Sequence, residues 1–100
     1  MDLGKTIKKI RKTKGLKQKD FARLCEITPS YLSQIENNLK EPNLSILKVL
    51  SDKLAIPLPI LFFLALDDDD IVPEKKIAFK MINPAVKSMV NEFFIPVNID

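Results

Sequence analysis

Residues 28–38, with the sequence TPSYLSQIENN, concentrate side chains that donate and accept hydrogen bonds. Leu32 and Ile35 are the only clearly aliphatic positions in this stretch. A helix formed here would bury one narrow stripe and leave its hydroxyl and amide groups facing outward. The stretch therefore predicts a short helix whose outer face recognises a polar partner through hydrogen bonds.

Catalytic and metal chemistry are poorly supported by the composition. The chain has no histidine and one cysteine, which leaves almost no basis for a Cys/His metal site or a histidine-based catalytic triad. There is no phosphate-binding glycine loop and no nucleophile beside a base. Cys25 lies in an apolar stretch and is expected to be a small buried thiol. We predict a protein that is not an enzyme and has no cofactor or metal.

The charges are distributed unevenly along the 100 residues. Residues 1–40 hold ten Lys/Arg against four Asp/Glu, whereas residues 41–100 hold six against nine. A basic half suggests a polyanionic partner, although a solvated lysine-rich face is an equal alternative. The start of the chain has no apolar segment typical of a signal peptide, and the most apolar run, 55–66, is too short to span a bilayer. With a single cysteine, which cannot form an internal disulfide, we expect a cytoplasmic protein without membrane contact.

Hydrophobic spacing predicts five helices in the first two thirds of the chain. Gly15 should end the first helix, and Thr28 should cap the third, with Pro29 in its first turn. Leu44, Leu47, Leu50 and Leu54 should form the inner stripe of the fourth. The first three helices are expected at about 3–14, 18–25 and 28–38. The fourth should begin after Pro42, and the fifth should end at about Leu66.

The last third is predicted to be a helical extension. The four aspartates at 67–70 should form a solvated hinge, and Asn83-Pro84 should divide the rest into segments at about 74–82 and 84–94. The predicted domains are residues 1–66 and residues 67–100, and the overall class is all-α.

The sequence predicts two short helices joined by about three residues, and the second helix has a polar outer face. This is the helix-turn-helix arrangement, in which the second helix enters the DNA major groove. The chain resembles the Cro/cI-type (XRE) helix-turn-helix family, with its lambda-repressor-like five-helix domain, over about residues 5–64. The matching residues, in order and at the family spacing, are Arg11, Gly15, Leu16, Gln18, Ala22, Ser33, Ile35, Glu36, Asn38, Pro42, Leu44, Leu47, Leu50 and Leu54.

The resemblance implies roles for individual positions. Base reading is implied for Thr28, Pro29, Ser30, Tyr31 and Gln34. The positions implied to touch phosphate or sugar are Gln18, Ser33, Asn38 and Lys40, with the neighbouring Lys17 and Lys19 added for their charge. Arg11 and Glu36 match a structural pair that ties the first helix to the end of the third. Two departures are Glu26, where the family often has glycine in the turn, and Lys17, where it often has a Ser/Thr cap.

Specific DNA reading by one short helix usually requires two copies. We therefore expect a homodimer and a transcriptional regulator, most plausibly a repressor of a pseudo-palindromic operator. The expected interface combines Leu61, Phe62, Leu64, Val86, Met89, Val90, Phe93 and Phe94. Two alternatives stay open: the C-terminal helices fold back on the same protomer, or the last third binds another protein, as in an antitoxin.

Overall fold

The computed structural model describes residues 1–95 and is all-helical over that range, as predicted. Two short 3₁₀ turns, Asp68–Asp70 and Pro73–Lys75, precede the last helix. The six α-helices are α1 (Leu3–Thr13), α2 (Gln18–Leu24), α3 (Pro29–Glu36), α4 (Leu44–Lys53), α5 (Leu58–Ala65) and α6 (Lys76–Phe94).

Polar side chains and one glycine set where the helices begin and end. Asp2 caps α1 and Asn43 caps α4, each accepting a backbone N–H bond of 2.9 Å. Thr28 Oγ1 accepts the Tyr31 N–H at 3.0 Å, with Pro29 in the first turn of α3. Gly15 has φ +75° just beyond α1, a left-handed conformation that glycine adopts without steric cost. Thr28 and Gly15 thus have the roles predicted from the sequence.

The core lies where α1 to α5 converge. Its fully buried large side chains are Ile7, Phe21, Leu32, Ile35, Leu50, Leu54 and Leu61. The expectation that Leu44 belongs to the inner stripe of α4 is wrong, because 56% of its surface is exposed. Leu44 occupies the first position of α4, before the helix reaches the core, whereas Leu47 and Leu50 are buried.

The predicted break at Asn83-Pro84 does not occur. Helix α6 continues through Pro84, which has no amide hydrogen to donate to the preceding turn. Asn83 therefore does not cap a new helix, and its Oδ1 atom is buried without a hydrogen-bond partner among the described residues. Residues 96–100, the end of the predicted extension, lie outside the described residues.

One side of α6 folds back onto α5 and the core. The rings of Phe63 and Phe79 have centroids 6.4 Å apart, and Val90 and Ile95 are almost completely buried. Placing Leu61 in a dimer interface is wrong for this structure, because Leu61 is fully enclosed within its own protomer. Val90 is withdrawn from that interface for the same reason, while Phe62, Leu64, Val86 and Phe94 are half-buried.

The opposite side of α6 has no partner within residues 1–95. Its large apolar side chains are more than half exposed, and together they define the open face of α6: Ile77, Met81, Ile82, Met89 and Phe93. Met89 and Phe93 belong to the interface expected from the sequence, and the other three were not predicted.

The aspartate run is mostly exposed to solvent, as expected, and its side chains close a turn. Asp67 Oδ1 accepts the Asp69 N–H at 3.0 Å, and Asp70 Oδ2 accepts the Asp67 N–H at 3.0 Å. The Met1 ammonium lies 3.2 Å from Asp67 Oδ2 and 2.9 Å from Asp70 Oδ2. These contacts hold the start of α1 beside the junction of α5 and α6. Across the same 95 residues, no helix is long and apolar enough to cross a membrane.

Gly4 marks the closest approach of α1 to α3. A Cβ atom built on Gly4 would lie 2.9 Å from the carbonyl oxygen of Glu36 and closer still to the Ile35 carbonyl oxygen and Asn38 Oδ1. The Gly4 N–H also donates to Asn38 Oδ1 at 3.1 Å. Glycine is required here because two backbones meet without room for a side chain.

Gly4→Ala is expected to lower the free energy of unfolding by about 1–3 kcal/mol, because the methyl group collides with backbone that cannot move aside. Urea unfolding followed by circular dichroism measures the change. Lys5→Ala, at the exposed neighbouring position, is the control and should change stability by less than about 0.5 kcal/mol. A Gly4→Ala variant as stable as the parent would show that α1 and α3 can separate at little cost.

Candidate nucleic-acid interface

The turn between α2 and α3 keeps a tight geometry without glycine. Glu26 has φ +56°, and its N–H donates to the Arg23 carbonyl at 3.1 Å, while the Ile27 N–H donates to the Ala22 carbonyl at 3.0 Å. Left-handed backbone costs a non-glycine residue about 1–2 kcal/mol. The turn therefore forms with Glu26 in a left-handed conformation, at some cost in stability.

The turn leaves one side of α3 in the core and the other in solvent. Leu32 and Ile35 are buried against α1 and α2, whereas Thr28, Pro29 and Ser30 are exposed at the start of the helix. Tyr31 and Gln34 are half-buried, and Tyr31 packs partly against the core. The residues expected to read bases thus lie together on the outer side of the first turns of α3.

A buried ion pair ties the C-terminal end of α3 to α1. Arg11 Nε donates to Glu36 Oε2 at 2.7 Å, and the guanidinium also donates to Glu36 Oε1 at 3.0 Å. The third donor of Arg11, Nη1, binds the Leu16 carbonyl at 2.7 Å. Both side chains are nearly inaccessible to solvent. Two parallel bonds fix the relative orientation of the two helices and not only their distance.

Gln18 extends this network to the start of α2. Its Nε2 donates to Glu36 Oε1 at 3.0 Å, a contact that the sequence did not predict. An amide nitrogen carries two hydrogens, so one is left for the expected contact with a phosphate. Glu36 thereby links α1, α2 and α3 through a single carboxylate.

Asn38 is occupied by contacts within the protein. Its Oδ1 accepts the Gly4 N–H, and its Nδ2 donates to Asp2 Oδ1 at 2.8 Å. The same hydrogen bond from Asn38 lowers the pKa of the Asp2 carboxyl. The side chain of Asn38 thus serves the junction of α1 and α3. Its Nδ2 keeps a second hydrogen and the residue is exposed, so the expected phosphate contact stays a prediction.

The remaining expected phosphate contacts border the exposed end of α3 and the start of α2. Lys17, Lys19 and Lys40 are exposed. The Ser33 hydroxyl oxygen accepts from Asn37 Nδ2 at 3.3 Å and keeps its own hydrogen available for donation. The surface therefore combines ammonium, hydroxyl and amide donors, which are the groups that bind phosphate oxygens.

Cys25 takes no part in this surface. Its side chain is buried at the end of α2, and burial raises the pKa of its thiol to about 11. A thiol with this pKa is almost entirely protonated at neutral pH and is a poor nucleophile.

Comparison with known proteins places this geometry among DNA-binding regulators. The profile of the helix-turn-helix family matches residues 7–61. Over 72 residues, 72% of the chain, the sequence is 29% identical to the HTH-type transcriptional regulator RamB of two Mycobacterium tuberculosis strains. The chain spans only 15% of the length of these curated relatives.

Two crystal structures of the clp gene regulator ClgR from Corynebacterium glutamicum have a similar fold, each with a TM-score of 0.62. One is 25% identical and covers 64% of this chain and 83% of its own. The other is 19% identical and covers 91% and 88%, so the similarity in fold includes part of the C-terminal extension.

Arg11→Met is expected to lower the free energy of unfolding by about 3–5 kcal/mol, because it leaves the Glu36 carboxylate buried without its counter-charge. Urea unfolding measures this loss. Lys12→Met, at the next and exposed position, should change stability by less than about 0.5 kcal/mol. The double variant Arg11→Met/Glu36→Met should recover part of the loss. Equal destabilisation by Arg11→Met and Lys12→Met would contradict a central role for the ion pair.

Proposed function

The chain belongs to the Cro/cI-type helix-turn-helix family of DNA-binding transcriptional regulators, and from this we propose that it represses transcription as a homodimer on a pseudo-palindromic operator. The observation that carries the proposal is the outer face of α3, which is polar, exposed at its first turn and fixed in orientation by the Arg11–Glu36 pair. A DNA partner accords with the basic first half of the chain and with the cytoplasmic location expected from the sequence.

We assign base reading to Thr28, Pro29, Ser30, Tyr31 and Gln34. Thr28 uses its hydroxyl oxygen as the helix cap and still has a hydrogen to donate. Gln34, one turn further along, can bind adenine through both ends of its amide. Tyr31 offers a ring edge beside the exposed turn, suited to a thymine methyl or a sugar.

Phosphate binding is assigned to Lys17, Gln18, Lys19, Ser33, Asn38 and Lys40. These contacts would supply most of the affinity without reading sequence, and binding should weaken steeply with salt. The free hydrogen of the Gln18 amide would place one phosphate directly above the Glu36 network, coupling the backbone contact to the orientation of α3.

The open face of α6 supports the dimer. One α3 helix reads only a few base pairs, and two copies must lie about 34–36 Å apart to enter successive major grooves. Apolar residues spread along one helix face can pack against the same face of a second copy about a two-fold axis. We therefore revise the interface to Ile77, Met81, Ile82, Met89 and Phe93. For the half-buried Phe62, Leu64, Val86 and Phe94 the contribution expected from the sequence stays a prediction.

A second candidate function rests on the same open face. If it binds a different protein, the chain is an interaction module, for example an antitoxin that holds its toxin through the last third. A chain that stays dispersed and dimeric when expressed alone would favour the homodimer. A chain that aggregates unless co-expressed with a partner would favour the module.

Gln34→Ala is expected to cost about 1–3 kcal/mol of binding free energy at its own base pair and little elsewhere. Lys40→Ala should instead weaken binding to all sequences similarly and reduce the slope of log K against log salt by about one. Fluorescence anisotropy with operator duplexes mutated one base pair at a time separates the two results. An unchanged sequence preference in Gln34→Ala would show that another face reads the bases.

The operator itself is obtained by in vitro selection of random duplex DNA on the purified protein at physiological salt. Enrichment of a palindrome that Gln34→Ala loses would support a dimeric sequence reader. Salt-sensitive binding without enrichment would contradict the proposed operator recognition and direct attention to a protein partner.

Met89→Ser/Phe93→Ser is expected to convert the dimer into a folded monomer, because it removes two exposed apolar anchors from the open face. Sedimentation equilibrium measures the mass, and circular dichroism checks that the helices persist. The control is Leu39→Ser, at a residue that is 76% exposed but lies beyond the end of α3. A variant that remains fully dimeric would eliminate this face as the interface.

A further inference from the structure

A cavity of about 400 Å³ lies between α1, α5 and α6. Helix α1 contributes residues four positions apart, Lys5, Lys9 and Thr13. Helix α6 contributes Lys87 and Asn91 at the same spacing, and Ile95 follows directly after its end. Residues four apart lie on one face of a helix, so two helical rows border the cavity, with Leu64 of α5 also in its wall. The volume lies within the range of about 300–1,000 Å³ typical of small-molecule sites.

The polar part of the wall is positively charged. Three lysines contribute to the lining, and none of the lining residues is acidic. Within residues 1–95 the ion pairs involve Met1, Arg11 and Lys80, and none of them includes Lys5, Lys9 or Lys87. A cavity with walls of one charge sign concentrates ions of the opposite sign.

The hydroxyl groups in the wall are directed elsewhere. Thr6 Oγ1 donates to the Asp2 carbonyl and Thr13 Oγ1 donates to the Lys9 carbonyl, both at 2.8 Å. The hydrogen-bond donors left for a ligand are the lysine ammonium groups and the amide of Asn91. This set of donors suits an anion and offers little to a cation.

Most of the surface that lines the cavity is apolar. Ile10, Leu64 and Ile95 contribute to the lining, and the half-buried Leu64 is the most exposed of the three. An inorganic anion would leave the apolar part of the wall in contact with water. A ligand with a hydrocarbon body would cover that surface and remove it from water. We propose that the cavity binds a small anionic amphiphile, an aliphatic carboxylate whose head group meets the lysines and whose body covers Ile10, Leu64 and Ile95.

Such a ligand would bridge the helix-turn-helix domain and the extension, since α1 and α5 form one side of the site and α6 the other. Binding would hold α6 against the domain, and because α6 carries the open face, the ligand would influence dimer assembly. This regulatory consequence rests on the proposed function, whereas binding itself does not.

The test uses octanoate as the probe, titrated into the ¹⁵N-labelled chain without DNA at constant ionic strength. We expect saturable shifts of the Leu64 and Asn91 amide signals, with half-saturation at or below about 1 mM. Octyltrimethylammonium, with the same tail and the opposite charge, and acetate, with the same head group and no tail, should not produce these shifts. From hexanoate to octanoate the affinity should rise by about fourfold per methylene group.

Lys9→Gln/Lys87→Gln should weaken octanoate binding at least about fivefold, because it removes two of the cations that face the carboxylate. The matched control is Lys12→Gln/Lys76→Gln, which removes the same charge from the same two helices outside the cavity and breaks no ion pair. Absence of saturation, equal binding of the cationic amphiphile, or equal loss in the two double variants would each overturn the proposal. None of these results bears on DNA binding, which the selection experiment tests separately.

Discussion

The buried carboxylate of Glu36 is the constraint on which the rest of the structure depends. It accepts bonds from Arg11 and from Gln18, so it joins three helices at a point where solvent is nearly excluded. Burying a charged group is costly unless donors placed in a suitable geometry form hydrogen bonds with it and a counter-charge lies beside it. The requirement therefore fixes α3 relative to α1 and α2, and it determines which side chains of α3 face outward.

Much of the helix-turn-helix domain could be predicted because its signals are local. Thr28 and Pro29 define the start of α3, Gly15 defines the end of α1, and the spacing of apolar residues separates buried from exposed positions. Two features could not be predicted in this way. The close contact at Gly4 and the second role of Asn38 depend on the distance between α1 and α3, which no short stretch of sequence encodes.

The C-terminal third was predicted less well, for two physical reasons. A proline preceded by asparagine favours a helix start, but α6 accepts the loss of one hydrogen bond and continues through Pro84. An apolar stripe also does not reveal whether it faces its own protomer or another. Here Val90 turns inward while Phe93 turns outward, and that division became visible only once α6 had been placed against α5.

The position of Tyr31 has a spectroscopic consequence. The chain has one tyrosine and no tryptophan, and the single tyrosine lies half-buried on the outer side of α3. Near-ultraviolet fluorescence of the unlabelled protein therefore comes almost entirely from one ring on that helix. Changes in its intensity or anisotropy report on the environment of α3 directly, without a dye that would alter the surface being observed.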